Sequence, residues 1–123
     1  MGKKMLHHLM VKVSDWPIAR EFYSASLGEL GYKLAADKET FGGFTAEDDT
    51  PQLYILQEEN PKRLHFVLHA PTPEAVSAFY KTAQAHGGKA HGDPGYRAHY
   101  KEGGVGCFII DPWDNNIEVV YDP

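Results

Sequence analysis

The stretch His8-Leu-Met-Val-Lys-Val-Ser-Asp-Trp-Pro-Ile-Ala-Arg-Glu-Phe-Tyr-Ser-Ala-Ser-Leu-Gly-Glu-Leu-Gly31 decides the fold, because it predicts a strand, a turn and a helix in direct succession. Residues 7–13 are rich in apolar side chains, which is typical of a short strand. Asp15 is a candidate N-cap, and Pro17 is tolerated in the first turn of a helix. Gly31 is a candidate C-cap, because glycine readily adopts the left-handed conformation found there.

The chain repeats this pattern 57 residues further on (65 − 8 = 57). The shift aligns His8 with His65, Phe22 with Phe79, Tyr23 with Tyr80 and Gly31 with Gly88. A histidine, an adjacent aromatic pair and a glycine that agree in one register indicate a tandem duplication of one structural unit. We therefore expect two halves with the same order of elements, βαβββ.

The remaining elements follow from local signals. After the first helix, short strands are predicted at residues 32–35, 42–46 and 52–57. In the second half, the predicted strands are residues 64–68, 105–110 and 116–121, and the helix begins after Thr72 and ends at Gly87-Gly88. Residues 91–104 are expected to form a long loop, and long loops often carry function. The polar stretch 58–62 separates the halves, which predicts one domain over residues 1–123 with modules at 5–58 and 63–122.

Composition narrows the classes of function. The 123 residues are 42% hydrophobic and 24% charged, as in a globular domain. A net charge of −5 argues against nucleic acids and anionic membranes as partners. No apolar run approaches the roughly 20 residues of a membrane-spanning helix. The single cysteine, Cys107, excludes an intrachain disulfide and suits a reducing compartment, so we expect a cytoplasmic protein.

Two histidines and one glutamate are the candidate metal ligands. His8 and His65 open corresponding strands, so packing of the halves about a pseudo-twofold axis would turn both imidazoles to one centre. Glu118 lies among apolar neighbours in the last strand, where a carboxylate must be paired or must ligate, because burying it alone is costly. Two imidazoles and one carboxylate leave about three positions of an octahedral metal open to substrate oxygens. A lone strand histidine is more often a hydrogen-bonded structural residue, so the interpretation depends on the repeat.

Tyr54 occupies the place in the first half that Glu118 holds in the second. The segments Gln52-Leu-Tyr-Ile55 and Asn116-Ile-Glu-Val119 align at a shift of 64 (118 − 54 = 64), so the second half has seven extra residues (64 − 57 = 7). We place them in the long loop. A neutral tyrosine is a poor metal ligand, and its phenol either packs or donates a hydrogen bond to a bound substrate.

The long loop contains the candidate acid–base and substrate-binding residues. His99 and Tyr100 precede an inner strand, and each is a candidate proton donor or acceptor. Arg97 is a candidate for bidentate binding of a substrate carboxylate, and Lys101 is a further candidate substrate contact.

Several segments together resemble the vicinal oxygen chelate superfamily, which comprises glyoxalases, bleomycin-resistance proteins and extradiol dioxygenases. They are His8-Leu-Met-Val-Lys-Val-Ser-Asp15, Ala19-Arg-Glu-Phe-Tyr23, Leu64-His-Phe-Val67 and Phe108-Ile-Ile-Asp-Pro112 through Asn116-Ile-Glu118. The resemblance covers nearly the whole chain. It implies an α+β fold in which two tandem βαβββ modules form cupped mixed sheets around a metal, with His8, His65 and Glu118 as ligands. A fourth ligand of the lactoylglutathione-lyase type would fall on Tyr54, where this sequence departs from the pattern.

The resemblance also implies a function. It favours a metal-dependent glyoxalase-like lyase or isomerase, in which a divalent ion (Zn, Ni, Co, Mn or Fe) chelates two adjacent oxygens of a small substrate. The alternatives are an extradiol-type dioxygenase, a thiol transferase like the fosfomycin-resistance proteins, and a metal-free ligand-binding protein like the bleomycin-resistance proteins. Members with two modules in one chain usually form homodimers, and we expect one here, with no nucleic-acid or membrane partner.

Overall fold

The computed structural model describes residues 5–47 and 50–123, and it confirms the predicted α+β class with two tandem βαβββ modules. The first module contains β1 (Leu9–Val13), α1 (Trp16–Gly28), β2 (Lys33–Asp37), β3 (Phe41–Thr45) and β4 (Leu53–Gln57). The second module contains β5 (His65–His69), α2 (Pro73–Ala85), β6 (Lys89–Gly95), β7 (Val105–Ile110) and β8 (Asn116–Tyr121).

Each module folds its strands into a four-stranded mixed sheet. The strand order is β1-β4-β3-β2 in the first sheet and β5-β8-β7-β6 in the second. The first and last strands of each module pair in parallel, and the other neighbours are antiparallel. Because the two sheets have the same order, the middle of β4 in one module corresponds to the middle of β8 in the other.

Both helices begin at the predicted caps. The Asp15 carboxylate accepts a hydrogen bond from the Ile18 amide at 3.0 Å, and the Thr72 hydroxyl accepts one from the Ala75 amide at 3.1 Å. These side chains satisfy amide groups that have no partner inside the helix. Helix α1 ends at Gly28, and Gly31 turns the chain towards β2 with a φ of 86°, a conformation that glycine adopts without strain.

The core lies between the helices and one face of each sheet. Helices α1 and α2 pack against each other, and each also packs on strands of its own module. The largest fully buried side chains include both phenylalanines of the repeated aromatic pair, Phe22 and Phe79, together with Trp16 and Tyr23. Among the described residues, no helix is long and apolar enough to span a membrane.

A buried polar network joins the two modules. The Tyr23 hydroxyl on α1 donates a hydrogen bond to the Asp111 carboxylate in the β7–β8 turn. The Asn115 side-chain amide donates to the same carboxylate at 2.9 Å and to the Lys12 carbonyl oxygen at 3.2 Å. Burial raises the pKa of Asp111 despite these donors, and burial together with the nearby carboxylate raises the pKa of Tyr23.

The prediction of a loop over residues 91–104 is wrong for its first part, because residues 91–95 belong to β6. The segment contains residues that are typical of turns, namely Gly92, Pro94 and Gly95, and for this reason the sequence predicted a loop instead of a strand. An edge strand tolerates such residues because one side of it needs no partner. Strand β6 is the edge of its sheet, and its register with β7 shifts twice.

Candidate active site

Glu118 is a buried carboxylate in the middle of an inner strand. It pairs with Val67 on β5 and with Phe108 on β7. Its neighbours in sequence, Ile117 and Val119, are fully buried in the core, so alternation along the strand turns Glu118 to the opposite face of the sheet. Val67 on that face is 54% exposed, whereas Glu118 is only 5% exposed. Because helix α2 packs on the other face of this sheet, different side chains must cover the carboxylate.

Three side chains surround the two oxygens of this carboxylate. The Tyr100 hydroxyl donates to Glu118 Oε2 at 2.7 Å, and His99 Nε2 lies 3.3 Å from the same oxygen. His65 Nε2 lies 3.6 Å from the other oxygen, Oε1. Four of the predicted site residues are thus brought together at the open face of one sheet: His65, His99, Tyr100 and Glu118. Burial, followed by the hydrogen bond to Glu118, raises the pKa of Tyr100, so the phenol stays protonated and can donate.

Arg97 holds the loop that carries His99 and Tyr100. Its guanidinium donates to three backbone carbonyl oxygens, those of Asp93 at 2.8 Å, Gly95 at 2.9 Å and Gly106 at 2.8 Å. It also lies 5.3 Å from the centre of the Phe108 ring. Through these contacts Arg97 stabilises the base of the loop. Its predicted contact with a substrate carboxylate stays a prediction.

Gly106 is a residue of the site that the sequence analysis missed. A β-carbon at this position would lie 2.1 Å from the Tyr100 hydroxyl oxygen, so only glycine lets the phenol lie across β7 and reach Glu118. A glycine inside a strand pattern signals a close approach of other atoms to the backbone. That signal is present in Val105-Gly-Cys-Phe108.

His8 directly precedes β1 and Tyr54 lies on β4, so both belong to the first module. Tyr54 pairs with Met10 on β1, as Glu118 pairs with Val67 on β5, so the two residues occupy equivalent positions in their modules. The His8 and Tyr54 rings meet edge to face with centroids 5.2 Å apart. The Nδ1 atom of His8 lies 2.8 Å from that of His7.

The cluster supplies part of the donor set of a metal centre. His65 and Glu118 provide an imidazole nitrogen and a carboxylate, which suit a divalent transition metal. The side-chain amide oxygen of Asn116, two residues before Glu118, is buried and has no hydrogen-bond partner in the described part of the chain. Within residues 5–47 and 50–123, no three side chains of His, Cys, Asp or Glu are grouped so as to hold a metal ion. The donor types therefore fit a divalent metal ion, and the third predicted ligand, His8, belongs to the other module.

Two adjoining cavities border these residues. One, of about 420 Å³, is lined by Glu118, His99, Tyr100 and Lys101, which places the predicted contact Lys101 beside the carboxylate. The other, of about 590 Å³, lies between the modules and includes His8 in its lining. Residues 67–69 of β5 line both cavities. The thiol of Cys107, by contrast, is fully buried, and burial raises its pKa to about 12, which leaves it without a role at the site.

Two tandem βαβββ modules with a buried carboxylate on the open face of one sheet define a paired-module α+β protein. Residues 5–119 match the model of the Glyoxalase/Bleomycin resistance protein/Dioxygenase superfamily, and the chain belongs to that superfamily. A comparison with curated proteins found no match.

Solved structures share the fold over almost the whole chain. A glyoxalase/bleomycin resistance protein from Albidiferax ferrireducens T118 is 24% identical, with a TM-score of 0.81, and the match covers 98% of this chain and 100% of that one. A glyoxalase-related enzyme from Fulvimarina pelagi is 12% identical, with a TM-score of 0.74 over 98% of this chain and 90% of that one. A glyoxalase/bleomycin resistance protein from Catenulispora acidiphila DSM 44928 is 20% identical, with a TM-score of 0.68 over 96% and 99%. At these identities the comparisons confirm the fold alone.

Proposed function

We propose that the protein is a metal-dependent glyoxalase-like enzyme, of the lyase or isomerase type, which acts on a small substrate with two adjacent oxygen atoms. The observation that carries the proposal is the Glu118 carboxylate, which is 5% exposed and lies within 3.6 Å of two imidazole nitrogens and a phenol. A carboxylate buried at the wall of a cavity, with titratable groups around it, is typical of a catalytic site.

His8, His65 and Glu118 are the residues that would hold the metal ion, with zinc, nickel, cobalt, manganese and iron as candidates. The bound ion would supply Lewis-acid polarisation of the two substrate oxygens. Because His8 belongs to the other module, the proposal includes a homodimer in which the first module of one copy faces the second module of its partner. The open edges of two four-stranded sheets give a physical reason for such an association.

The other residues of the cluster handle protons and position the substrate. His99 Nε2, with its ring 65% exposed at the cavity, is the group that would accept a proton from substrate carbon and return it. The Tyr100 hydroxyl keeps its proton on the hydrogen bond to Glu118 Oε2, which fixes the orientation of the carboxylate. Lys101 at the cavity wall would contact the substrate. Tyr54, the equivalent of Glu118 in the first module, is a further candidate contact in the proposed dimer.

A metal-free ligand-binding protein is the second candidate function. The observation that favours it is the hydrogen bond from Tyr100 to Glu118, because it gives the buried carboxylate a partner without a metal. An extradiol-type dioxygenase and a thiol transferase use the same ligand types as the main proposal, so the identity of the metal and the substrate must separate them.

Elemental analysis of untagged protein purified without chelator tests the main proposal. We expect about one divalent metal ion per chain, and its loss in the variants His8→Ala, His65→Ala and Glu118→Gln. His86→Ala is the matched control, because this exposed histidine lies at the end of α2, where its Nδ1 atom is 3.0 Å from the Thr82 carbonyl oxygen. Zinc, nickel or cobalt would direct substrate screening to adducts of 2-oxoaldehydes with thiols, and iron or manganese would direct it to catechols with oxygen uptake. Protein without metal, and without a thermal shift on metal addition, would contradict the metal-dependent mechanism and support the binding protein.

A further inference from the structure

The two histidines proposed as metal ligands use the same ring nitrogen to contact the rest of the protein. His65 Nδ1 lies 3.1 Å from the carbonyl oxygen of Asn116. His8 Nδ1 lies 2.8 Å from the Nδ1 atom of His7. In both rings the Nδ1 atom therefore has a hydrogen-bond partner. The other nitrogen, Nε2, is the atom that His65 directs to Glu118, with 3.6 Å between Nε2 and Oε1.

The partner of His65 decides where that ring carries its proton. A carbonyl oxygen only accepts hydrogen bonds, so the Nδ1 atom must be the donor. A neutral imidazole has one N–H group, and a hydrogen bond from Nδ1 therefore leaves the Nε2 lone pair free for a metal ion. Such a bond also fixes the orientation of the ring, and removing the partner of a ligand histidine weakens metal binding.

His8 has a side chain as its partner instead of a backbone carbonyl. The contact joins two ring nitrogens, and a hydrogen bond between them requires that one carries a proton and the other accepts it. If His8 is the donor, its Nε2 atom is free, as in His65. If His7 is the donor, the proton of His8 lies on Nε2 and blocks that atom. The Tyr54 ring also packs edge to face against the His8 ring, at a centroid distance of 5.2 Å.

The sequence repeat places this partner in the first module only. The shift of 57 residues that aligns His8 with His65 also aligns His7 with position 64 (64 − 57 = 7). That position is Leu64, whose side chain forms no hydrogen bonds. The second module therefore uses the backbone for a contact that a side chain provides in the first. Substitution of His7 can thus remove the partner of one proposed ligand and leave that of the other in place.

We infer that His7 is a positioning residue for His8: its Nδ1 atom accepts the Nδ1–H of His8, which leaves the Nε2 atom of His8 free to bind a divalent metal ion. The inference rests on the proposed function for the identity of the ligands, whereas the hydrogen bond itself exists in the metal-free protein. In this assignment His7 does not contact the ion.

Histidine tautomers in the metal-free protein, measured by ¹⁵N NMR, test the hydrogen bond directly. At about pH 9, where imidazoles in proteins are generally neutral, His8 should carry its proton on Nδ1 in wild type. His7→Ala removes the acceptor, so His8 should shift towards the Nε2–H tautomer, which a free imidazole side chain prefers. His7→Asn supplies an acceptor oxygen that is bonded to Cγ, as Nδ1 is, and should restore the Nδ1–H tautomer. His65 should keep its tautomer in all three proteins, because its partner is a backbone carbonyl.

Zinc affinity, measured by competition with a chromogenic chelator, gives a second readout. His7→Ala should bind zinc roughly tenfold more weakly than wild type, which is the lower end of the effect of such partners, because both rings are exposed. His7→Asn should keep most of the wild-type affinity. His86→Ala is the matched control and should bind zinc as wild type does.

The outcomes that overturn the inference differ from those that overturn the proposed metal site. Wild type that binds no zinc contradicts the metal site, whatever the tautomer of His8. The inference fails if His8 in metal-free wild type carries its proton on Nε2, or if its tautomer is the same in His7→Ala. It also fails if His7→Asn restores the tautomer but loses as much zinc affinity as His7→Ala, because His7 would then be a ligand itself.

Discussion

Gly106→Ala should displace the Tyr100 side chain from Glu118. The added β-carbon would lie 2.1 Å from the Tyr100 hydroxyl oxygen and 2.6 Å from its Cζ atom. Non-bonded carbon atoms in contact stay about 3.5 Å apart, so the overlap is roughly 1 Å. Strand β7 is paired on both sides, with β6 and β8, so its backbone is held in place and the phenol ring must move.

The size of the effect follows from the hydrogen bond that is lost. The Tyr100 hydroxyl donates to Glu118 at 2.7 Å, and a hydrogen bond to a charged group contributes about 1.5–3 kcal/mol. Replacing a strand glycine by alanine returns about 0.5–1 kcal/mol. The free energy of unfolding should therefore fall by about 1–2 kcal/mol. For 123 residues the unfolding entropy is about 0.26 kcal/mol/K, so the melting temperature should fall by roughly 4–8 °C.

Scanning calorimetry of Gly106→Ala, Tyr100→Ala and the double variant tests this reasoning. Without the phenol ring there is no overlap. Gly106→Ala should therefore not lower the melting temperature any further in the Tyr100→Ala background. A spectrophotometric titration gives a second measurement, because the pKa of Tyr100 is raised in wild type and should return towards its ordinary value of 10.0 once the ring is displaced. If Gly106→Ala lowers the melting temperature equally in both backgrounds, the overlap is not with Tyr100 and the reasoning is refuted.

The remaining predictions concern the module interface, the loop and the buried thiol. Tyr23→Phe removes a hydrogen bond to the Asp111 carboxylate, so the melting temperature should fall by roughly 6–12 °C in calorimetry; an unchanged value would contradict a structural role for the network. Because the folded pKa of Asp111 is raised above its ordinary value of 3.8, its contribution to stability is largest at low pH and is lost as the pH rises through the folded value. Urea unfolding at a series of pH values upwards from 3.8 should show that loss in wild type relative to Asp111→Asn, and parallel curves would refute it. Arg97→Lys cannot reach three carbonyl oxygens at once, so amide hydrogen exchange at Tyr100, whose N–H donates to the Arg97 carbonyl oxygen at 2.9 Å, should accelerate; unchanged exchange would argue against the structural task of Arg97. Cys107, with a pKa raised to about 12, should react with a disulfide reagent only after unfolding, and rapid labelling of the native protein would contradict its burial.

The fold could be predicted because its signals are local and occur twice. A cap residue, a proline in the first turn and an apolar stripe indicate a helix from sequence neighbours alone, and both predicted caps are confirmed, because Asp15 and Thr72 accept hydrogen bonds from backbone amides of the first turn. Strand β6 was missed because its pairing with β7 is a non-local property that overrides the turn signals of Gly92 and Pro94.

His65 and Glu118 could be selected from the sequence, through the repeat and through the apolar neighbours of the carboxylate. In the structure they lie on neighbouring strands of one sheet, with His65 Nε2 3.6 Å from Glu118 Oε1. The approach of Tyr100 to Glu118 depends on the path of a loop, and that path depends on contacts between Arg97 and carbonyl oxygens up to nine residues away. Such contacts have no periodic signature in a sequence.

The two modules share a framework but differ at the candidate site. Tyr54 and Glu118 occupy equivalent strand positions, yet only the second module places a carboxylate there. The connection between β2 and β3 is residues 38–40, whereas the one between β6 and β7 is residues 96–104, so the extra length predicted for the second half lies largely in this loop. That loop contributes His99 and Tyr100, which cover the carboxylate. A buried carboxylate needs such partners, and a loop as short as residues 38–40 offers none. The carboxylate and the long loop therefore depend on each other. For this reason the second module contains most of the candidate site. The first module contributes a histidine, a phenol and one wall of the cavity between the modules.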